Sequence, residues 1–312
     1  MIIDVHSHLF AKEWLPHEFW EGIVRTAQAQ AKRIMKSDIP FDEMERLVLP
    51  PLWDSSAEAL LDEMEAAGID KTVILPQDLE IGLSRAEVTT EEQNRLHAEL
   101  MEKHSDRLIA FVGIDPRRKG SVEFLEKGVK EWGMRGLKLH PAAGFFPNDR
   151  SFYPLYRKCV DLKIPILFHS GPIISPLRSQ PAHPIYLDDV AADFPELTLI
   201  AAHLSHTWWQ DLLAIASVKP NIFVDISGWE LEIMTHYEDF CKILKIFIDE
   251  LGYDRILFGT DGPGFRQVCP PRDYVQLIRG LPQKSPEGIK FTEEEISAIL
   301  GGNAQRILSF LT

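Results

Sequence analysis

Apolar positions along this chain fall into eight short runs, over residues 2–8, 71–76, 108–114, 136–140, 164–169, 197–203, 221–226 and 256–261. Runs that are apolar without alternation indicate strands buried on both faces, and such strands are parallel and need crossover segments between them. The intervening stretches have the helical period over 57–67, 91–104, 122–132, 152–162, 187–194, 208–218 and 237–251. Repeated strand-then-helix units predict a single α/β domain over residues 1–312, a (β/α)8 barrel whose reactive groups gather at the carboxyl ends of the strands. Six of the eight runs end in or beside His, Lys or Asp, which turns attention to that end.

Residues 9–56 depart from the repeat. Phe10, Trp14, Phe19, Trp20, Phe41 and Trp53 are interspersed with helical polar stretches and the breaker Pro50-Pro51. An insertion after a barrel strand lies over the catalytic mouth, so a helical lid or pocket wall is one expectation and a subunit interface the other.

Composition narrows the partners. The 312 residues are 45% hydrophobic, enough for an ample core, and no apolar stretch approaches a membrane span. The first run begins at once, leaving no room for a secretory signal, and a cytoplasmic location is expected. A net charge of -14 opposes binding to a phosphate backbone. The expected partner is therefore a small molecule, with no nucleic acid, no membrane and homo-oligomerisation left open. Cys159, Cys241 and Cys269 show neither a disulfide framework nor Cys-x-x-Cys spacing, and the first two fall in helical patterns as packing residues.

The candidate chemistry is metal ligation. His6 and His8 are one residue apart on the first strand and share a face, so both can reach one ion. His169 closes the fifth run, His203 the sixth with His206 three residues on, and Asp261 the eighth. Imidazoles ligate zinc-like ions, and a carboxylate among them can also accept a proton from water. His17, His97, His104 and His236 lack this strand-end context and read as surface or capping residues. His183 and Arg178 after the fifth strand, Trp229 after the seventh and Phe265 after the eighth are candidates for lining the pocket.

Asp4-x-His6-x-His8, His169, His203, Gly259-Thr260-Asp261 and the closing stretch 299–308 together resemble the amidohydrolase superfamily. The branch they look most like is the amidohydrolase-2 or amidohydrolase-related group, which includes metal-dependent hydrolases, aminocarboxymuconate-semialdehyde decarboxylase and resorcylate-type decarboxylases. The resemblance covers essentially the whole chain. It implies a divalent ion, usually zinc, bound by His6, His8, His169 and Asp261, with His203 at a second ion or at the substrate.

Lys138, in Gly136-Leu137-Lys138-Leu139-His140-Pro141, is similar to the dihydroorotase Lys-Leu-Tyr-Pro motif, whose lysine is carboxylated and bridges two metals. An ammonium facing a dication is repelled, whereas a carbamate supplies anionic oxygens, so Lys138 is a ligand if carboxylated. Unmodified, it would receive a substrate carboxylate, or pair structurally with a buried carboxylate such as Asp4. His140 shares its face and is a substrate or outer-shell candidate.

The sequence thus predicts a metal-dependent hydrolase with one or two ions, zinc foremost, acting on a small cyclic or aromatic amide, lactone or carboxylate. An ion-bound water, its pKa lowered from about 15.7 to about 7, would be the nucleophile. Asp261 would take its proton, and His203 would help polarise the carbonyl. The alternative is non-oxidative decarboxylation of an aromatic or unsaturated acid, with Asp261 or His203 protonating carbon.

Overall fold

The computed structural model describes residues 1–308, and all eight apolar runs supply strands. In chain order these are β1 (Ile3–Ser7), β2 (Lys71–Ile74), β3 (Leu108–Ala110), β4 (Val112–Gly113), β5 (Leu137–Leu139), β6 (Ile166–Phe168), β7 (Leu199–Ala201), β8 (Ile222–Asp225) and β9 (Ile256–Leu257). Every pairing is parallel, in the order β1-β2-β3 and β4-β5-β6-β7-β8-β9. The third run is one strand broken at Phe111, whose N–H donates to Ile74 while that of Val112 donates to Gly136. Gly136 makes the break feasible, since a Cβ there would lie 2.5 Å from the Phe111 ring.

Backbone bonds from Val5 N to Phe258 O and from Asp261 N to His6 O join the last strand to the first, completing a TIM barrel. Side chains alternate as buried parallel strands require. Leu137, Leu139, Ile166 and Phe168 face the helix layer, while Ile3, Val5, Val73, Leu167, Ile200 and Leu257 cluster separately. Crossover helices include Glu58–Ala67, Thr90–Lys103, Tyr153–Leu162 and Tyr237–Leu251, and the helix Pro271–Arg279 after β9 lies where no helical segment was predicted. The closing stretch seals the barrel's amino-terminal end. Ala304 joins the cluster around Ile3, and a Cβ at Gly301 would sit 2.3 Å from the Met1 carbonyl.

Two features position the site. The register of β1 gains one residue against β2 between Asp4 and Ser7, a β-bulge that re-aims the side chains beyond it. Residues 9–56 carry helices His17–Gln30 and Phe41–Val48, and their Phe10, Phe19 and Trp20 form a second core with Leu79, Ala142, Ala143 and Leu177. Those partners lie in the loops after β2, β5 and β6. Phe10, Trp14, Phe19 and Trp20 are buried by their own chain, which leaves them unavailable as an exposed interface. Among the described residues no helix is long and apolar enough to cross a membrane. Cys159, Cys241 and Cys269 are buried free thiols.

Candidate metal centre

Three imidazoles at the carboxyl end of the barrel are held in the same tautomer. His6 Nδ1–H donates to Asp225 Oδ2 at 3.0 Å, His8 Nδ1–H to the Leu75 carbonyl at 2.7 Å, and His203 Nδ1–H to the Ser227 carbonyl at 3.1 Å. Carbonyls and an ionised carboxylate can only accept, so each Nε2 is left with a lone pair. Two of them face Asp261, whose Oδ1 lies 3.5 Å from His6 Nε2 and 3.4 Å from His8 Nε2, an acceptor-to-acceptor arrangement that a shared cation would satisfy. His6, His203 and Asp261 each bring one ligand-capable atom within 4.8 Å of the others.

His203 therefore sits closer to the first ligand group than the sequence reading placed it. That reading assigned it to the substrate or a second ion. His169 lies farther round the ring of side chains, with its centroid 5.1 Å from His203 and stacked 4.4 Å from His140. Its Nε2 is buried without a hydrogen-bond partner, as is His140 Nδ1. Four imidazoles and a carboxylate, several with bare nitrogens, are the donor set a zinc- or manganese-type ion takes.

Burial and charge keep these groups in ligating forms. Removal from water lowers His8 to about 4 and His203 to about 3, and holds His140 and His169 well below the ordinary histidine value. Burial pushes the carboxyl groups of Asp225 and Asp261 up, but the nearby histidines outweigh it and hold both well below the usual carboxylate range.

Lys138 is buried, and its Nζ donates to His6 Nε2 at 3.0 Å. Desolvation lowers its amine to about 8. The expected alternative of a Lys138–Asp4 pair is not what forms. Asp4 instead accepts from His6 N, Thr260 N and Thr260 Oγ1, tying β1 to the segment that carries Asp261. Burial raises Asp4 to about 7.

The sequence reading missed Asp225, although it ends its strand as the other candidates end theirs. Its Oδ1 accepts from His203 N and Ser227 N, and its Oδ2 from His6. Gln77 was also missed; its amide nitrogen lies 3.2 Å from His8 Nε2. His97, read as a surface or capping residue, is wholly buried against Trp14, and its Nδ1–H donates to the Gln93 carbonyl. A helical His turned inward looks no different in sequence from one turned out.

The pocket-lining candidates divide. Trp229 is buried and donates its indole N–H to the His203 carbonyl at 2.6 Å, so its polar atom serves the histidine segment. Phe265 is partly exposed, and Arg178 is exposed. His183 packs on Trp208 and lies 3.4 Å from Asp211.

The backbone around the site is unusual. Asp261 has φ +47°, and His203, Leu204, Ser205 and His206 have four successive positive φ values of 63°, 43°, 56° and 50°. Non-glycine residues persist there only when their surroundings over-determine them, and such outliers cluster at functional sites.

The family model for the Amidohydro_2 amidohydrolases matches residues 3–310. The chain belongs to this amidohydrolase family. A 2-keto-4-carboxy-3-hexenedioate hydratase of Sphingobium sp. (strain NBRC 103272 / SYK-6) is 24% identical, the match covering 98% of this chain and 96% of that protein. Two solved structures share the fold. One is a 4-oxalomesaconate hydratase from Rhodopseudomonas palustris, 23% identical with a TM-score of 0.60, covering 100% of this chain and 96% of that one. The other is a dihydroxybenzoic acid decarboxylase from Polaromonas sp. JS666 with bound manganese and 2-nitroresorcinol, 17% identical with a TM-score of 0.68, covering 100% and 97%. Two of these three proteins are hydratases and the third is a decarboxylase.

Proposed function

We propose that this amidohydrolase directs water at a small unsaturated or cyclic carboxylic acid, by hydration of a conjugated double bond or hydrolysis of a lactone or amide. The observation that carries the reading is the common tautomer of His6, His8 and His203, whose unprotonated Nε2 atoms lie around Asp261. Sequence similarity to the Sphingobium hydratase supports hydration of a carboxylic acid as the particular form.

A divalent ion held by His6, His203 and Asp261 would supply Lewis acidity and make water more acidic. Zinc is the expected ion, and the manganese of the Polaromonas decarboxylase supports manganese equally. Asp261, ionised at neutral pH, accepts the proton from water. His203, fixed through Ser227 and Asp225, would hold the ion together with His6, and Asp261 passes the proton on to the substrate. Lys138 receives a substrate carboxylate if it remains an amine, or becomes an anionic ligand if it is carboxylated; the mass of the intact chain distinguishes the two. His140 and Phe265 border the substrate.

Non-oxidative decarboxylation would use the same ligands, and one experiment separates it. The metal-loaded enzyme is incubated in ¹⁸O-water with conjugated keto acids, pyrone carboxylates and ortho-hydroxybenzoates. Incorporation of ¹⁸O into product, without carbon dioxide release, is the expected result. Carbon dioxide release without oxygen incorporation selects decarboxylation, and no turnover in any class overturns both readings.

A further inference from the structure

We infer that His206 is a second substrate-contacting residue, one that hydrogen-bonds an acidic group of the substrate other than the one held at the ligand cluster and so selects di- or tricarboxylic acids over monocarboxylic ones. The inference rests on the carboxylic-acid reading above and goes beyond it by naming the residue that recognises a second carboxylate.

The loop after β7 spends unusual conformations on placing this ring. His206 has φ 50° and ψ -121°, and it ends the run of four left-handed residues. The three before it are buried, whereas His206 is partly exposed. The turn is locked from inside, by Ser205 Oγ against Ser170 Oγ at 2.6 Å and by the Trp229 indole on the His203 carbonyl.

The imidazole lies in a slot. Its ring stacks on His203 at 5.0 Å with an interplanar angle of 16°, and Trp229 lies nearly parallel at 6.4 Å. Gly171 and Gly228, both with positive φ, flank it: a Cβ on the first would be 3.1 Å from Cδ2 and on the second 3.0 Å from Cε1. No protein group among the described residues hydrogen-bonds either ring nitrogen. That contrasts with His6, His8 and His203, each of which commits Nδ1 to the protein.

A ring needed only for packing would not require a strained backbone, two glycine walls and nitrogens left unused. Nε2 lies against Gly228, where a Cβ would come within 3.3 Å, so at the carboxyl end of the barrel beside His203 it is Nδ1 that we assign to a substrate held by the ion. A carboxylate oxygen there can accept from an imidazole N–H at little further ordering cost, because the ring is already held by its stack. Trp229 and the two glycines are positioning residues in this arrangement, and His206 is the group that touches the ligand.

Fumarate and crotonate, which differ only in a second carboxylate, test the assignment. The full-length protein loaded with zinc is titrated with each by calorimetry, alongside His206→Gly and His206→Asn. Glycine tolerates this backbone, with its φ of 50° and ψ of -121°, better than histidine does, and so separates loss of the ring from loss of the fold. The expected result for His206→Gly is a fall in fumarate affinity of about tenfold or more, the worth of one hydrogen bond to a charged group, with crotonate affinity unchanged. Zinc content and melting temperature should match the wild type, and His206→Asn, which retains an N–H donor, should recover part of the fumarate affinity. Undiminished fumarate binding to His206→Gly overturns the assignment. So does a parallel loss of both ligands with a lowered melting temperature, which would make the ring structural. Failure of the wild type to bind either acid overturns the carboxylic-acid reading itself, a result distinct from the other two.

Discussion

His6 and Asp225 form a fully buried pair, with Nδ1 of one 3.0 Å from Oδ2 of the other, and the pair decides which nitrogen His6 offers to the site. Asp225 accepts from four donors in all: His6 Nδ1, His203 N, Ser227 N and Ser227 Oγ. An amide cannot do so, because its NH2 would face at least one of those donors.

Asp225→Asn should therefore weaken metal binding about 10- to 100-fold, the usual cost of losing an outer partner of a ligating histidine. Competition against a chromophoric chelator measures it. Affinity equal to wild type would mean that His6 needs no such partner.

Asp261→Asn should abolish turnover, with a loss of about 10² to 10⁴-fold from the missing base alone, and leave the fold intact. Asparagine suits the left-handed backbone at this position, with its φ of +47°, so strain will not confuse the result. Circular dichroism and turnover on the same preparation provide the check. A folded variant with near-normal activity would remove Asp261 from the mechanism.

His203→Asn should lose both activity and stability. The ring's Nδ1–H is bonded to Ser227, and leaving that buried carbonyl unsatisfied costs about 1 to 3 kcal/mol. Thermal melts with and without zinc distinguish its two roles: the stabilisation gained from zinc should shrink beyond the loss seen in the apo protein. An equal zinc-induced rise in Tm would exclude His203 as a ligand.

Buried neutral histidines make the apo protein sensitive to acid. Burial lowers His97 to about 4 in the folded chain from the ordinary 6.5. Between these values the unfolded chain binds the proton that the folded one refuses, so stability present above pH 6.5 is lost as pH falls toward 4. For this residue the loss approaches about 3 kcal/mol. Urea titrations from pH 7.5 to 4.5 should show a shallower decline for His97→Phe than for wild type; parallel curves would contradict it.

Much of this was legible in the sequence, for a physical reason. Barrel strands are buried on both faces, so a polar residue closing an apolar run stands out, and His6, His8, His169, His203 and Asp261 were singled out that way, whereas Lys138, inside its run, was singled out by its motif. Asp225 carries the same signature but reads equally well as the polar end of a strand, until its partners from β1 and β7 are seen. The β1 bulge, the break at Phe111 and the inward turn of His97 depend on contacts between distant segments, which local periodicity does not encode. The left-handed stretch 203–206 is invisible for another reason: Leu204 and Ser205 are not residues that announce a positive φ.

We propose that His6, His203 and Asp261 hold one divalent ion, with His8 and His169 beside them. Anomalous diffraction at the zinc absorption edge from crystals of the zinc-loaded protein tests it most directly. The account predicts a peak about 2.0 to 2.2 Å from a nitrogen of His6 and an oxygen of Asp261, with His203 among its neighbours. Zinc bound only elsewhere, with His6 keeping its hydrogen bond to Lys138, would contradict it.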